Sequence, residues 1–66
     1  MREDELLSTP TVAEMLNVPV PTLRYWRFMG TGPRSFKLGP RNVRYKRSDV
    51  LAWLEAQYAE TVKVSA

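Results

Sequence analysis

Five cations, an amide and two aromatics fall in two groups in the middle of this chain. Arg24, Tyr25, Arg27 and Phe28 make the first group; Arg41, Asn42, Arg44 and Lys46 make the second. A guanidinium presents a planar fork of donors that fits a phosphate, or the paired acceptors on the major-groove edge of guanine. Between Glu14 and Asp49 there are eight cations, which add Arg34, Lys37 and Arg47 to those above, and no acid. The acids lie outside: Glu3, Asp4 and Glu5 in front, Asp49, Glu55 and Glu60 behind. Such segregation is the electrostatic footprint of a nucleic-acid-binding surface. A solvated basic face that meets nothing is the blander reading of the same charges.

Other chemistries find no residues to carry them. The chain has no Cys and no His, so disulfides and a zinc site of the usual Cys/His kind are excluded. Glu14 and Asp49 read as a helix-surface acid and a first-turn acid, not as a catalytic pair. Gly30-Thr31-Gly32 lacks the spacing and the following Lys-Ser/Thr of a phosphate loop. Neither catalysis nor a cofactor nor a metal is expected. No apolar run approaches the roughly 20 residues of a membrane span, and the basic-then-apolar order of a signal peptide is missing. The expected protein is soluble and cytoplasmic.

With 66 residues and a net charge of +3, the chain makes one small domain. A domain of this size buries only about 60% of its unfolded surface, so its elements must share one core. Residues 1–5 are polar and are expected to fray, residues 6–60 to form the domain, and residues 61–66 to form a flexible tail. Ser8 is placed to cap a first helix, with Leu7 and Val12 at the positions of a hydrophobic staple. That helix should run from Thr9 or Pro10 to Asn17 with Val12, Met15 and Leu16 inward. Asn17 tolerates the left-handed C-cap conformation, and Pro19 forces Val18 out of the α region.

A second helix is predicted from about Val20 to Met29. It places Leu23, Trp26 and Gly30 on an inward stripe with Arg27 at its edge, and Pro21, Arg24, Tyr25 and Phe28 on the opposite face. After Gly30, Gly32 and Pro33 come two alternating runs. Phe36 and Leu38 are expected inward beside Lys37, then Val43 and Tyr45 inward with Arg44 and Lys46 outward. Gly39-Pro40-Arg41-Asn42 supplies the turn. Ser48 caps a last helix whose Val50, Trp53, Leu54 and Tyr58 close the core. Helix, helix, hairpin and helix make a mainly α winged helix-turn-helix with a small β-hairpin.

Each candidate contact has two readings. Arg24 clamps a phosphate or reads a guanine edge, or is simply solvated. Tyr25 donates its hydroxyl to a phosphate or covers the core edge. Val20 and Pro21, at the helix start, can touch a thymine methyl or a sugar. Arg27 suits phosphate better than a base, and Phe28 is either a contact or covered by the loop after Gly30. Arg41, Asn42, Arg44 and Lys46 form a basic wing that can follow the backbone or enter the minor groove, although edge strands also carry Lys for solubility. Trp26 and Trp53 sit on apolar stripes and are assigned to the core, not to base stacking.

Taken as an ordered set, these pieces resemble the excisionase/AlpA-type DNA-binding domain, a small relative of the MerR winged helix-turn-helix. The matching segments are residues 12–18, Thr22-Leu23-Arg24-Tyr25-Trp26, Lys37-Leu38-Gly39, Val43-Arg44-Tyr45 and Ser48-Asp49-Val50 with Trp53-Leu54. The chain is similar to phage-encoded recombination directionality factors, mycobacteriophage excisionases among them. The resemblance implies binding and bending of double-stranded attachment-site DNA in a bacterial host to direct an integrase toward excision. It equally implies a small transcriptional regulator. One domain with about six phosphate contacts gives only modest affinity, so further copies on adjacent sites, or a partner such as an integrase, are expected. Pro19 departs from the Ser or Thr that the family often has at the recognition-helix cap. A third reading, a protein-interaction adapter docking through Tyr25 and Phe28, follows from the exposed aromatics alone.

Overall fold

The structure, a computed structural model, describes residues 4–62. Ser8 is extended, at φ −84° and ψ 165°, and its Oγ accepts from the Thr11 N–H at 3.4 Å. It caps helix α1, Thr9–Leu16, with Pro10 in the first turn, where its missing donor costs little. Leu7, just before the cap, and Val12 are buried in one cluster, as the staple requires. Asn17 ends α1 in the left-handed region at φ 59°. The Val18 N–H reaches Ala13 O at 2.9 Å and the Asn17 N–H reaches Glu14 O at 3.2 Å, the paired bonds of a Schellman motif.

Helix α2, Val20–Met29, starts without a side-chain cap; instead the Pro19 carbonyl accepts from the Thr22 N–H at 3.0 Å. Gly30 closes it at φ 77°, and the Thr31 N–H bonds back to Trp26 O at 2.8 Å in the same Schellman pattern. Only residues 17–19 separate the two helices, which makes them a helix-turn-helix.

The expected hairpin is a three-stranded antiparallel sheet. Strands β1 (Leu6–Ser8), β2 (Phe36–Leu38) and β3 (Asn42–Lys46) lie in the order β1-β3-β2. Leu7 pairs with Tyr45, and Ser8 with Arg44. A two-stranded ribbon is marginal alone, and the third strand at once widens it and ties the start of the chain to it. Leu7 and Tyr45 are 5% and 1% exposed on the inner face, where Val43 joins them half-buried.

The second strand overturns an expectation. Leu38 pairs with Asn42 and Phe36 with Arg44, so the turn is the three residues Gly39-Pro40-Arg41 rather than four. Opposed residues share a face, and one residue of register exchanges the faces. Phe36 and Leu38 therefore lie on the outer face beside Arg44 and Asn42, 37% and 43% exposed, not inward. Lys37, paired with Val43, takes the inner side of the edge strand.

Lys46 ends β3 and Arg47 begins α3, Arg47–Val62, with no residue between them. The Arg47 N–H bonds to Glu5 O at 2.9 Å, and the Ser48 hydroxyl donates to an Asp4 carboxylate oxygen. Ser48 thus lies inside the helix rather than at its cap. Asp4 and Glu5 of the expected frayed segment are held here, and residues 1–3 lie outside the described residues. At the other end Thr61 and Val62 are helical, and residues 63–66 of the expected tail lie outside the described residues.

The core is Leu7, Val12, Ala13, Leu23, Tyr45 and Val50, with Leu16, Val18, Val20, Trp26 and Val43 partly buried against it. Besides Phe36 and Leu38, three helical residues expected inward are exposed: Met15, Leu54 and Tyr58. The core is filled by the first turn of α3 through Val50, and the later turns of that helix run past it. Trp53 is half-buried and packs on Trp26, ring centroids 5.4 Å apart and tilted at 45°.

Candidate nucleic-acid interface

Arg24 and Arg27 are three residues apart, one turn along α2, and so project side by side. Asn42 and Arg44 are two apart on β3 and share its outer face. These two pairs, with Arg41 of the turn, line one cleft of about 250 Å³ whose wall is completed by Ser8, Thr9, Pro10 and Val43. Four guanidiniums from two distant segments thus converge on a single surface. Like charges gathered this way repel, and an incoming polyanion relieves the repulsion. The start of α1 adds the positive end of a helix dipole to the same wall.

Arg44 is half-buried, and its Nη1 donates to the Val43 carbonyl at 2.9 Å. That bond holds one arm of the guanidinium to its own strand and leaves the remaining donors for a ligand. Arg24, Arg27, Arg41 and Asn42 are exposed.

The other expected site residues divide. Tyr25 and Phe28, on the outer side of α2 with Pro21, are 60% and 83% exposed; the loop after Gly30 does not cover Phe28. Val20 is half-buried and packs against the core. Lys46 pairs with Leu6 at the far end of β3 and does not line the cleft.

Ser8, Thr9 and Pro10 were legible as a helix start but not as part of this surface. They arrive there because Ser8 pairs with Arg44, a contact across 36 residues that no local pattern encodes. Trp26 and Trp53 take no part in the cleft. Both border another surface hollow of about 490 Å³, and Trp53 with Gly32 also lines a second of about 450 Å³.

Among the described residues no group of three or more His, Cys, Asp or Glu could hold a metal ion, and no helix is long and apolar enough to cross a membrane.

A family model described as a helix-turn-helix domain matches residues 6–58, the span from β1 into the C-terminal half of α3. No curated protein and no solved structure matches the chain.

Proposed function

The chain belongs to the helix-turn-helix domain family, a small DNA-binding family that includes AlpA- and excisionase-like proteins, and from that premise we propose that it is an excisionase-type architectural factor. It binds duplex DNA sequence-specifically and bends attachment-site DNA to direct an integrase toward excision. The observation that carries the DNA reading is the convergence of Arg24 and Arg27 of α2 with Arg41 and Arg44 of the wing in one cleft.

In this reading α2 enters the major groove with Pro21, Arg24, Tyr25 and Phe28 toward the bases. The wing grips the neighbouring backbone or minor groove through Arg41, Asn42 and Arg44. Phosphate contacts set position, and the α2 side chains supply base discrimination. So small a surface gives modest affinity alone, so further copies on adjacent sites, or the integrase, complete the specificity.

A gel-shift titration on the source replicon's attachment-region DNA and on a random duplex tests this. Ladders of discrete, anomalously migrating complexes on attachment DNA alone are expected. A single complex at a promoter would instead identify a transcriptional regulator. No shift on either DNA at low salt would sink the DNA reading and favour an adapter docking through Tyr25 and Phe28.

A further inference from the structure

The outer face of the sheet carries a mixture that neither solubility nor the core explains. Across it run Ser8, Arg44 and Phe36 in one row, and Asn42 and Leu38 in the next. Phe36 and Leu38 leave 37% and 43% of their surfaces in water, on the same face as the 47%-exposed Leu6 at the far end. Edge strands are kept from pairing by Lys, and Lys37 meets that need, but from the opposite face with Val43.

The two apolar side chains are thus placed beside the cations rather than with the core. Their row neighbours Arg44 and Asn42 are themselves walls of the arginine cleft. Phe36 and Leu38 do not line the cleft themselves; they lie one strand further on, about 5 Å across the sheet.

We infer that Leu38, backed by Phe36, is an apolar wedge that the wing drives between base steps in the minor groove while the arginines hold the flanking phosphates; this rests on the DNA reading above. The charge of the face decides the occupant. An apolar protein surface would bury Leu38 and Phe36 but strand Arg41 and Arg44 without partners, whereas the minor groove offers both phosphates and apolar sugar and base surfaces. Minor-groove proteins insert Leu, Phe or Pro in this way and kink the duplex toward the major groove. Leu38 leads because it is the last residue before the Gly39-Pro40-Arg41 turn, and Phe36 stands one pleat behind it. Flexible pyrimidine–purine steps are where such a wedge enters most readily.

The full chain is titrated at low salt against mixed-sequence 26-base-pair duplexes, end-labelled with a donor and acceptor dye, with 2-aminopurine at a TA step. Anisotropy reports binding, energy transfer reports bending, and 2-aminopurine fluorescence reports unstacking. Wild type is expected to bind, to raise energy transfer, and to raise the 2-aminopurine signal about threefold or more. At saturating protein, Leu38→Ala should lose both other signals, and Leu38→Met should keep them. Arg44→Ala should weaken binding but still bend DNA at saturation.

A Leu38→Ala complex that bends and unstacks like wild type overturns the wedge and leaves DNA binding intact. So does a DNA-free sedimentation profile in which wild type self-associates and Leu38→Ala does not, because a second copy then covers the face. No anisotropy change for wild type overturns the DNA reading itself, and the wedge with it.

Discussion

A Cβ added to Gly32 would stand 3.0 Å from the Cβ of Trp26 and 3.1 Å from its Cε3. Gly32 also has φ +78°, a region that L side chains enter only with strain. Gly30 has nearly the same φ, +77°, but open space around its Cα. The two glycines therefore separate backbone strain from steric contact. Gly30→Ala should lower stability by about 1 kcal/mol, and Gly32→Ala by about 2–3 kcal/mol, because Trp26 must also shift against Trp53. Urea unfolding followed by tryptophan fluorescence reads both. Equal losses would mean that Trp26 yields at no cost.

Leu6 and Leu7 are adjacent yet face opposite ways, 47% and 5% exposed. Leu7→Ala should cost about 2–5 kcal/mol, as large-to-small core changes do, a large share of what so small a domain has. Leu6→Ala should stay within about 0.5 kcal/mol of wild type. Thermal melts of the two variants check the pleat of β1 directly. Similar losses would place both leucines in the core.

Arg24→Ala and Arg44→Ala should each weaken DNA binding about tenfold while leaving the melting temperature nearly unchanged, since neither residue belongs to the core. The salt dependence distinguishes their partners. Loss of a phosphate contact flattens the log–log salt slope by about 1, whereas loss of a base contact relaxes sequence preference at one position. Competition titrations at several salt concentrations separate the two. Unchanged affinity for both variants would remove the cleft from the interface.

About six phosphate contacts for one copy correspond to a salt slope of about −5. Fluorescence anisotropy on a duplex with room for a single copy measures it. Nanomolar binding by that single copy at physiological salt would contradict the expectation that several copies, or a partner, are needed.

Both helices of the helix-turn-helix were legible because their boundaries are local chemistry. Ser8 caps, Asn17 and Gly30 accept the left-handed conformation, and Pro19 blocks continuation. The sheet was only half legible. Gly39, Pro40, Arg41 and Asn42 all suit a turn, so their composition does not say whether Asn42 belongs to the turn or the strand. That one residue decides which face Phe36 and Leu38 take. Strand β1 was hidden for a different reason: three residues carry too little alternation to announce a strand, and the partner that makes them one is 36–40 positions away. Helix α3 outran expectation because its last turns lack an inward stripe, yet Ala59-Glu60-Thr61-Val62 contains nothing that breaks a helix. In the cleft, each arginine was visible singly, and their convergence was not, because it depends on that same pairing of β1 with β3.

The junction of Lys46 and Arg47, where β3 passes into α3 without a loop, makes the wing and the last helix one bent lever. The fulcrum is pinned by the Arg47 N–H on Glu5 O and by Ser48 on Asp4. The long arm is the 16 residues of α3, about 24 Å at the helical rise. A few degrees of tilt at the wing are thereby carried to the far end of α3 as a sideways sweep of an ångström or more. The tilt of the wing thus sets where that end is aimed.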